Sequence, residues 1–354
     1  MRSFFLFFSL SLINCNNSNI LELDINDKII LPKHYIVNKI NDQINIDGRD
    51  DELAWNNAIY TDDFIDIEGS KTPSQKTNVK MLWDEKFLYV FAKLYENHIW
   101  GDITKRDEVI YYNNDFEVFI NPNDDVFSYG EIEINALGTE WDLFLNRPYR
   151  LKGKADSSWD INGLKSAVYI NGTLNDPNDL DDYWTVEIAI PLKEIEKLNT
   201  SGKDEKVISG DVWRINFSRV NWDFEINNGV YSRKKENGKY LPEYNWVWSP
   251  QGIINMHVPE NWGYLVFSEN DEVFNMTNKL ITQHILYTVF REITFGNLKY
   301  LKNLEANTSI EFKDFEYRNI KISCNFLKTE DGYVIELING EYEFSIDETG
   351  KIKN

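Results

Sequence analysis

Apolar and polar residues alternate with a period of two along most of this chain, which is the spacing of strands with one face buried. The clearest case is Tyr111–Trp141, YYNNDFEVFINPNDDVFSYGEIEINALGTEW. Within Asp115–Asn121, Phe116, Val118 and Ile120 share one face, opposite Asp115, Glu117 and Phe119. Within Tyr129–Asn135, Ile132 and Ile134 oppose Glu131, Glu133 and Asn135. The intervening NPNDD has the Pro and Asx residues of a turn. The pattern predicts two half-buried strands whose polar face presents carboxylates and an amide, a surface suited to a polyhydroxylated ligand.

The same grammar recurs along the chain. Ile44–Trp55 reads as a strand, a turn at Asp47-Gly48 and a short acidic helical piece. Thr77–Trp83 and Phe87–Tyr95 form a predicted hairpin, followed later by strands over Trp141–Asn146, Ser166–Thr173 and Trp184–Ile190. Pro191 opens a short helix running through Leu198, Pro being tolerated in a first helical turn. Val212–Val220 and Tyr264–Phe267 are further strands, flanking an aromatic, loop-rich segment, Tyr240–Trp262. Many short strands with turn signals and almost no helix predict a mainly β fold, an antiparallel β-sandwich of immunoglobulin or jelly-roll type.

From about Asn270 the period changes. Val273, Met276, Leu280, Ile281, His284, Ile285 and Val289 recur at helical spacing, predicting an amphipathic helix over Asp271–Glu292. Four short strands are expected near 309–312, 320–326, 333–337 and 342–346, with a hairpin turn at Asn339-Gly340. The expected organisation is an export signal over 1–15, a polar tether over 16–40, the sandwich over 41–269, and a small α+β unit over 270–354.

The N-terminus adds a location. Arg2 precedes the apolar run Phe4–Ile13, too short to span a bilayer but suited to a signal peptide. The run ends at Cys15, as in a bacterial lipoprotein signal, which predicts lipidation of Cys15 and anchoring in an envelope membrane. Asn14 departs from the small residue usual before such a Cys, which leaves plain secretory cleavage as the alternative. With Cys324 the only other cysteine, a lipidated Cys15 leaves no intrachain disulfide.

Composition narrows the partners. A net charge of −21 argues against nucleic acid, whose phosphates need clustered Lys and Arg. Aromatic residues make up 14% of the chain, with 11 Trp and 19 Tyr, enough to fill a sandwich core and to offer flat faces to sugar rings. The four histidines show no zinc-type spacing. The acidic loops Asn121–Asp125 and Asp176–Asp182 read as solvated turns that fit no helix-flanked calcium loop, leaving structural calcium to scattered ligands. No nucleophile elbow or phosphate-cradling glycine loop is present. Glu117 with Glu133 is the one candidate for a glycosidase carboxyl pair. In Asn245–Gly263, NWVWSPQGIINMHVPENWG, Trp246, Trp248 and His257 are candidate ligand contacts, since loops on a rigid scaffold carry binding residues. Met256 with His98 or His257 would be the axial ligands of a less favoured haem-binding alternative.

Residues 44–268 resemble the family 9 carbohydrate-binding modules and related domains of bacterial lipoproteins. The ordered matches are IDGRDDELAW, VKMLWDEKFLYVFAKLYE, DFEVFINPNDD with YGEIEINALGTEWD, YWTVEIAIP, WRINFSRV and PENWGYLVF. The resemblance implies a non-catalytic sandwich that binds sugars, often beside glycoside hydrolases acting on xylan or cellulose, and often steadied by calcium. It implies that Glu117 and Asn135 bind hydroxyls and that Tyr111 stands for a first stacking Trp. Glu133 replaces a basic residue, and Met256 replaces the second stacking Trp. Trp246, Trp248 or Trp100 would then have to complete the clamp.

Overall fold

A computed structural model describes residues 20–200, 206–269 and 272–353. The expected Cys15 lipidation site and the signal segment 1–15 lie outside these residues. Contacts divide the chain into two units. The larger comprises residues 28–284 with 349–351, and the smaller comprises 285–348 and 352–353 with the segment 20–27.

The larger unit is a 13-stranded sheet curled into two layers. Its main hydrogen-bonded order runs Lys165–Asn171, Tyr183–Pro191, Phe87–Tyr95, Thr77–Trp83, His34–Lys39, Gly263–Ser268, Val212–Asn221, Asp115–Asn121, Tyr129–Asn135, Glu140–Leu145 and Ala155–Asp156, with Tyr244–Val247 branching from Val212–Asn221 and pairing in turn with Ile65–Asp66. Between the layers lies one apolar core. One layer contributes Val79, Met81, Trp83, Val90, Leu94, Trp184 and Val186, and the other contributes Phe116, Val118, Ile132, Ile134, Ile215 and Phe217. Each set follows its strand's alternation, so the pleat selects which side chains meet.

Two expectations are corrected here. The stretch 16–40 is not a bare tether, because His34–Lys39 is a strand. It pairs in parallel with both Gly263–Ser268 and Thr77–Trp83 and so joins the two layers. The sandwich is therefore not wholly antiparallel. Ile44–Ile46 is not a strand; it leads to a turn at Gly48, where the Asp47 and Gly48 amides and the Trp55 indole all donate to buried Glu187. Gly48 is obligatory there: its φ is +84°, and a Cβ would lie 2.7 Å from the Tyr169 backbone.

In the smaller unit, Ser309–Tyr317, Ile320–Lys328, Tyr333–Ile338, Glu343–Asp347 and Ile352–Lys353 form an antiparallel meander. Ile20–Leu21 pairs in parallel with its first strand. The inward positions Ile310, Phe312, Ile322, Cys324, Phe326, Ile335 and Leu337 are buried. The helix expected from 271 spans Asn278–Thr294. Its first turns belong to the larger unit, where His284 Nε2 and Tyr264 Oη share a 2.8 Å hydrogen bond. Among the described residues no helix is long and apolar enough to cross a membrane.

Candidate functional site

Asp115–Asn121 and Tyr129–Asn135 form within the bounds that alternation gave, but they are buried on both faces, not half-exposed. The reason is a cover. The segment that follows Tyr244 crosses the outer face of this layer and brings Met256, Trp262 and Val247 against Phe119, Tyr129, Leu143 and Leu145 as a second, smaller core. Trp262 meets Tyr129 edge-on at 4.9 Å, and its indole donates to the Met256 carbonyl at 2.8 Å.

Between cover and sheet a cavity of about 500 Å3 remains. Glu117, Glu131, Glu133 and Glu243 supply its carboxylates, and Tyr111, Trp141 and Tyr149 supply aromatic faces. Strand register explains the convergence. Glu117 pairs with Glu133 across one ladder, and Glu133 pairs with Trp141 across the next. Residues directly opposite in adjacent strands share a face, so three strands aim these side chains outward together. Tyr111 enters from the preceding short turn, its amide donating to Glu133 Oε2 at 3.0 Å.

The electrostatics at and beside the cavity are unusual. Asp115, Glu117, Glu131 and Glu133 are respectively 0%, 5%, 4% and 2% exposed. Burial first, then mutual repulsion, pushes the carboxyls of Asp115 and Glu131 well above the ordinary range. Glu133 is raised by the same causes, and burial lifts Glu117 to about 7. The Val220 amide and Ser218 hydroxyl ease the charges on Asp115 and Glu117. Even so, no donor reaches good hydrogen-bond geometry with either Asp115 oxygen, Glu117 Oε2 or Glu131 Oε2.

Of the residues singled out from sequence, Tyr111, Glu117, Glu133, Met256 and His257 line the cavity. His257 is half-buried, hydrogen-bonded through Nδ1 to Tyr129 Oη at 3.0 Å, and edge-on to Tyr149 at 4.6 Å. Burial and then the nearby Arg150 charge lower its pKa to about 4. Asn135, Trp246 and Trp248 are corrections. The Asn135 carboxamide is consumed within the fold: it accepts from the Leu137 and Thr139 amides and donates to the Ile103 carbonyl at 2.8 Å. Trp246 sits in the sandwich core opposite Arg219, whose guanidinium lies 5.1 Å from its ring. Trp248 is pressed onto Gly263, where a Cβ would come within 2.3 Å of its ring. Trp100, the other reserve stacker, is buried against Tyr231. His98 does not line the cavity, bonding instead to Tyr231 Oη at 2.9 Å.

Trp141, Tyr149 and Glu131 are the residues that sequence reasoning missed. Alternation already placed Glu131 with Glu133, and the next strand's register would have found Trp141. Tyr149 lies in a short 3-10 turn with no periodic signal.

The two acidic loops are closed by their own hydrogen bonds. Asn121 Nδ2 donates to the Asp125 and Phe127 carbonyls, and Asp124 pairs with Arg214 at 3.0 Å. Asp181 accepts from the Ile99 and Thr173 amides.

Comparison with known proteins shows what the larger unit is similar to. Residues 46–216 match the family model described as carbohydrate family 9 binding domain-like. A 209-residue stretch is 26% identical to endo-1,4-beta-xylanase A of Thermoanaerobacterium saccharolyticum, covering 58% of this chain and 14% of that protein. A 156-residue stretch is 29% identical to exoglucanase XynX of Acetivibrio thermocellus, covering 44% of this chain and 12% of that protein. The chain thus spans only a small part of either relative's length. Among solved structures, a family 9 carbohydrate binding module of Caldicellulosiruptor kristjanssonii aligns in complexes with cellotriose and with glucose. Both are 17% identical and cover 69% of this chain and 100% of theirs, with TM-scores of 0.45 and 0.44. Residues 46–216 are thus similar to the carbohydrate family 9 binding domain-like family.

Proposed function

We propose that this protein binds carbohydrate without chemical turnover, and that the cavity beneath the Tyr244–Trp262 cover is the saccharide site. One observation carries the reading: aromatic faces of Tyr111, Trp141 and Tyr149 converge with Glu117, Glu131 and Glu243 in a single cavity. Flat rings bury the apolar face of a pyranose, and carboxylates accept hydrogen bonds from vicinal hydroxyls, so the two residue types suit one ligand class. The cavity's volume suits a mono- or disaccharide end more than a long chain.

In this reading the ligand is a β-1,4-linked glucan or xylan end, the polymers named for the two partial relatives. The protein would be exported, lipid-anchored through Cys15, and active beside glycoside hydrolases in polysaccharide capture. Isothermal titration of the purified protein with cello- and xylo-oligosaccharides tests this. Saturable binding lost in Trp141→Ala, with unchanged thermal unfolding, is the expected result. Saccharide binding that survives Trp141→Ala together with Tyr111→Ala would place the ligand elsewhere. No binding across a broad glycan panel would overturn the function.

A further inference from the structure

The described residues contain two clusters of three acidic side chains whose oxygens lie within 4.8 Å of one another. They are built differently. In Asp107, Asp142 and Asp160 the cation is already present: Arg106 bonds Asp142, reaches Asp160 at 3.3 Å and Asp107 at 3.7 Å. In Asp115, Glu117 and Glu133 there is none.

The fold compensates its other buried carboxylates of the large unit with care. Glu96 pairs with Arg219 at 3.2 Å and accepts from the Trp184 indole at 2.7 Å. Glu260 is held by Arg150 at 2.5 Å, and Glu187 takes three N–H donors. A buried charge left without partner or hydrogen bonds costs several kcal/mol, so such groups are rare in native folds. Against that background the Asp115–Glu117–Glu133 group stands out. Asp115 is fully buried with both oxygens lacking a donor, and it turns toward the same point as Glu117 and Glu133. Glu131, on the same face of the next strand, adds another buried oxygen without a donor.

We propose that Asp115 joins the cavity-lining Glu117 and Glu133 to bind a divalent cation of calcium size. Oxygens on opposite sides of a calcium ion, each at about 2.3–2.6 Å, lie roughly 4.6–5.2 Å apart. One oxygen from each of the three lies within 4.8 Å of the others, close enough to ligate a single ion of that size, whereas magnesium keeps several waters and takes one or two carboxylates. Three carboxylates are hard oxygen donors, with no Cys and no His among them, which suits calcium over zinc or copper. The ion faces an open cavity, which leaves positions for water or for ligand hydroxyls. This inference does not depend on which molecule fills the rest of the cavity.

The test begins with protein stripped by chelator and dialysed into metal-free buffer. Calcium titrated by calorimetry is expected to saturate one site that Asp115→Asn and Glu133→Gln each weaken at least tenfold. Asp160→Asn, at the cluster already bridged by Arg106, is expected to leave it unchanged. Terbium used as a probe is expected to show luminescence sensitised by Trp141 and Tyr111, displaced by calcium. Calcium is expected to raise the melting temperature of the parent protein but not of the two triad variants. If a triad variant fails to fold, the parent protein still decides: absence of saturable calcium uptake and of sensitised terbium emission overturns the site. Uptake unaffected by both triad substitutions does so equally. Oligosaccharide titrations with chelator and with calcium separate this from the saccharide reading, since sugar binding without calcium uptake would refute the ion alone.

Discussion

Glu117 lies directly opposite Glu133 in the antiparallel register, so two buried carboxylates face each other across one strand pair. Like charges so placed weaken a sheet by up to about 1 kcal/mol. In chelator-treated protein, Glu133→Gln is therefore expected to raise the unfolding free energy by about that amount. Gln keeps the acceptor for the Tyr111 amide. Urea denaturation measures the change, and a clear loss of stability without metal would show that Glu133 already has a compensating partner.

Trp141 and Trp248 separate binding from folding. Trp141 lines the cavity, its partly exposed ring opposite Glu133 in register, and its truncation is expected to abolish saccharide binding at little structural cost. Trp248 fills the core between Phe217 and Gly263, and its truncation is expected to cost about 3–5 kcal/mol. Calorimetry and thermal melts on the same pair of variants check both halves.

Glu96→Ala is expected to be among the most damaging single changes, about 3–5 kcal/mol. It strands the wholly buried Arg219, which would keep its hydrogen bonds to the Tyr95 carbonyl and Asn221 but lose its counter-charge. The double variant Glu96→Gln with Arg219→Met, which removes both charges, should recover much of the loss. A double variant no better than Glu96→Ala would mean that the ion pair is not the cause.

His257 makes stability depend on pH in a stated direction. Its folded pKa of about 4 lies below the ordinary imidazole value near 6.5, so the unfolded chain takes up the proton more readily. Its contribution is thus fully present above about pH 6.5 and is lost as pH falls towards 4. NMR titration of the ring should give a midpoint near 4. His257→Gln should flatten the stability profile between pH 4 and 6.5, and a midpoint near 6.5 would refute the burial argument.

Alternation alone located most of the long strands of the larger unit, though not His34–Lys39, because a pleated strand with one face on a core writes that face into every second residue. Asp115–Asn121 and Tyr129–Asn135 were read to the residue, and with them the shared face of Glu117 and Glu133. The order of motifs fixed the family expectation for the same reason: each short apolar pattern follows its neighbours along the chain. What alternation cannot say is what lies beyond the outward face. That face is closed by residues more than a hundred positions later, Val247, Met256 and Trp262, and only their packing turns a polar surface into a walled cavity. The same long-range packing decided the fate of the aromatic residues. Trp246 and Trp248 looked like loop residues free to stack on a ligand, but pairing of Tyr244–Val247 with the strand that carries Arg219 drew both into the core. Asn135, suited by type to bind hydroxyls, is used up by backbone groups of a turn that only the folded chain brings to it. Residue identity set the chemistry available to this protein; tertiary contacts decided which side chains keep a hand free, because burial and hydrogen bonding are properties of neighbours distant in sequence.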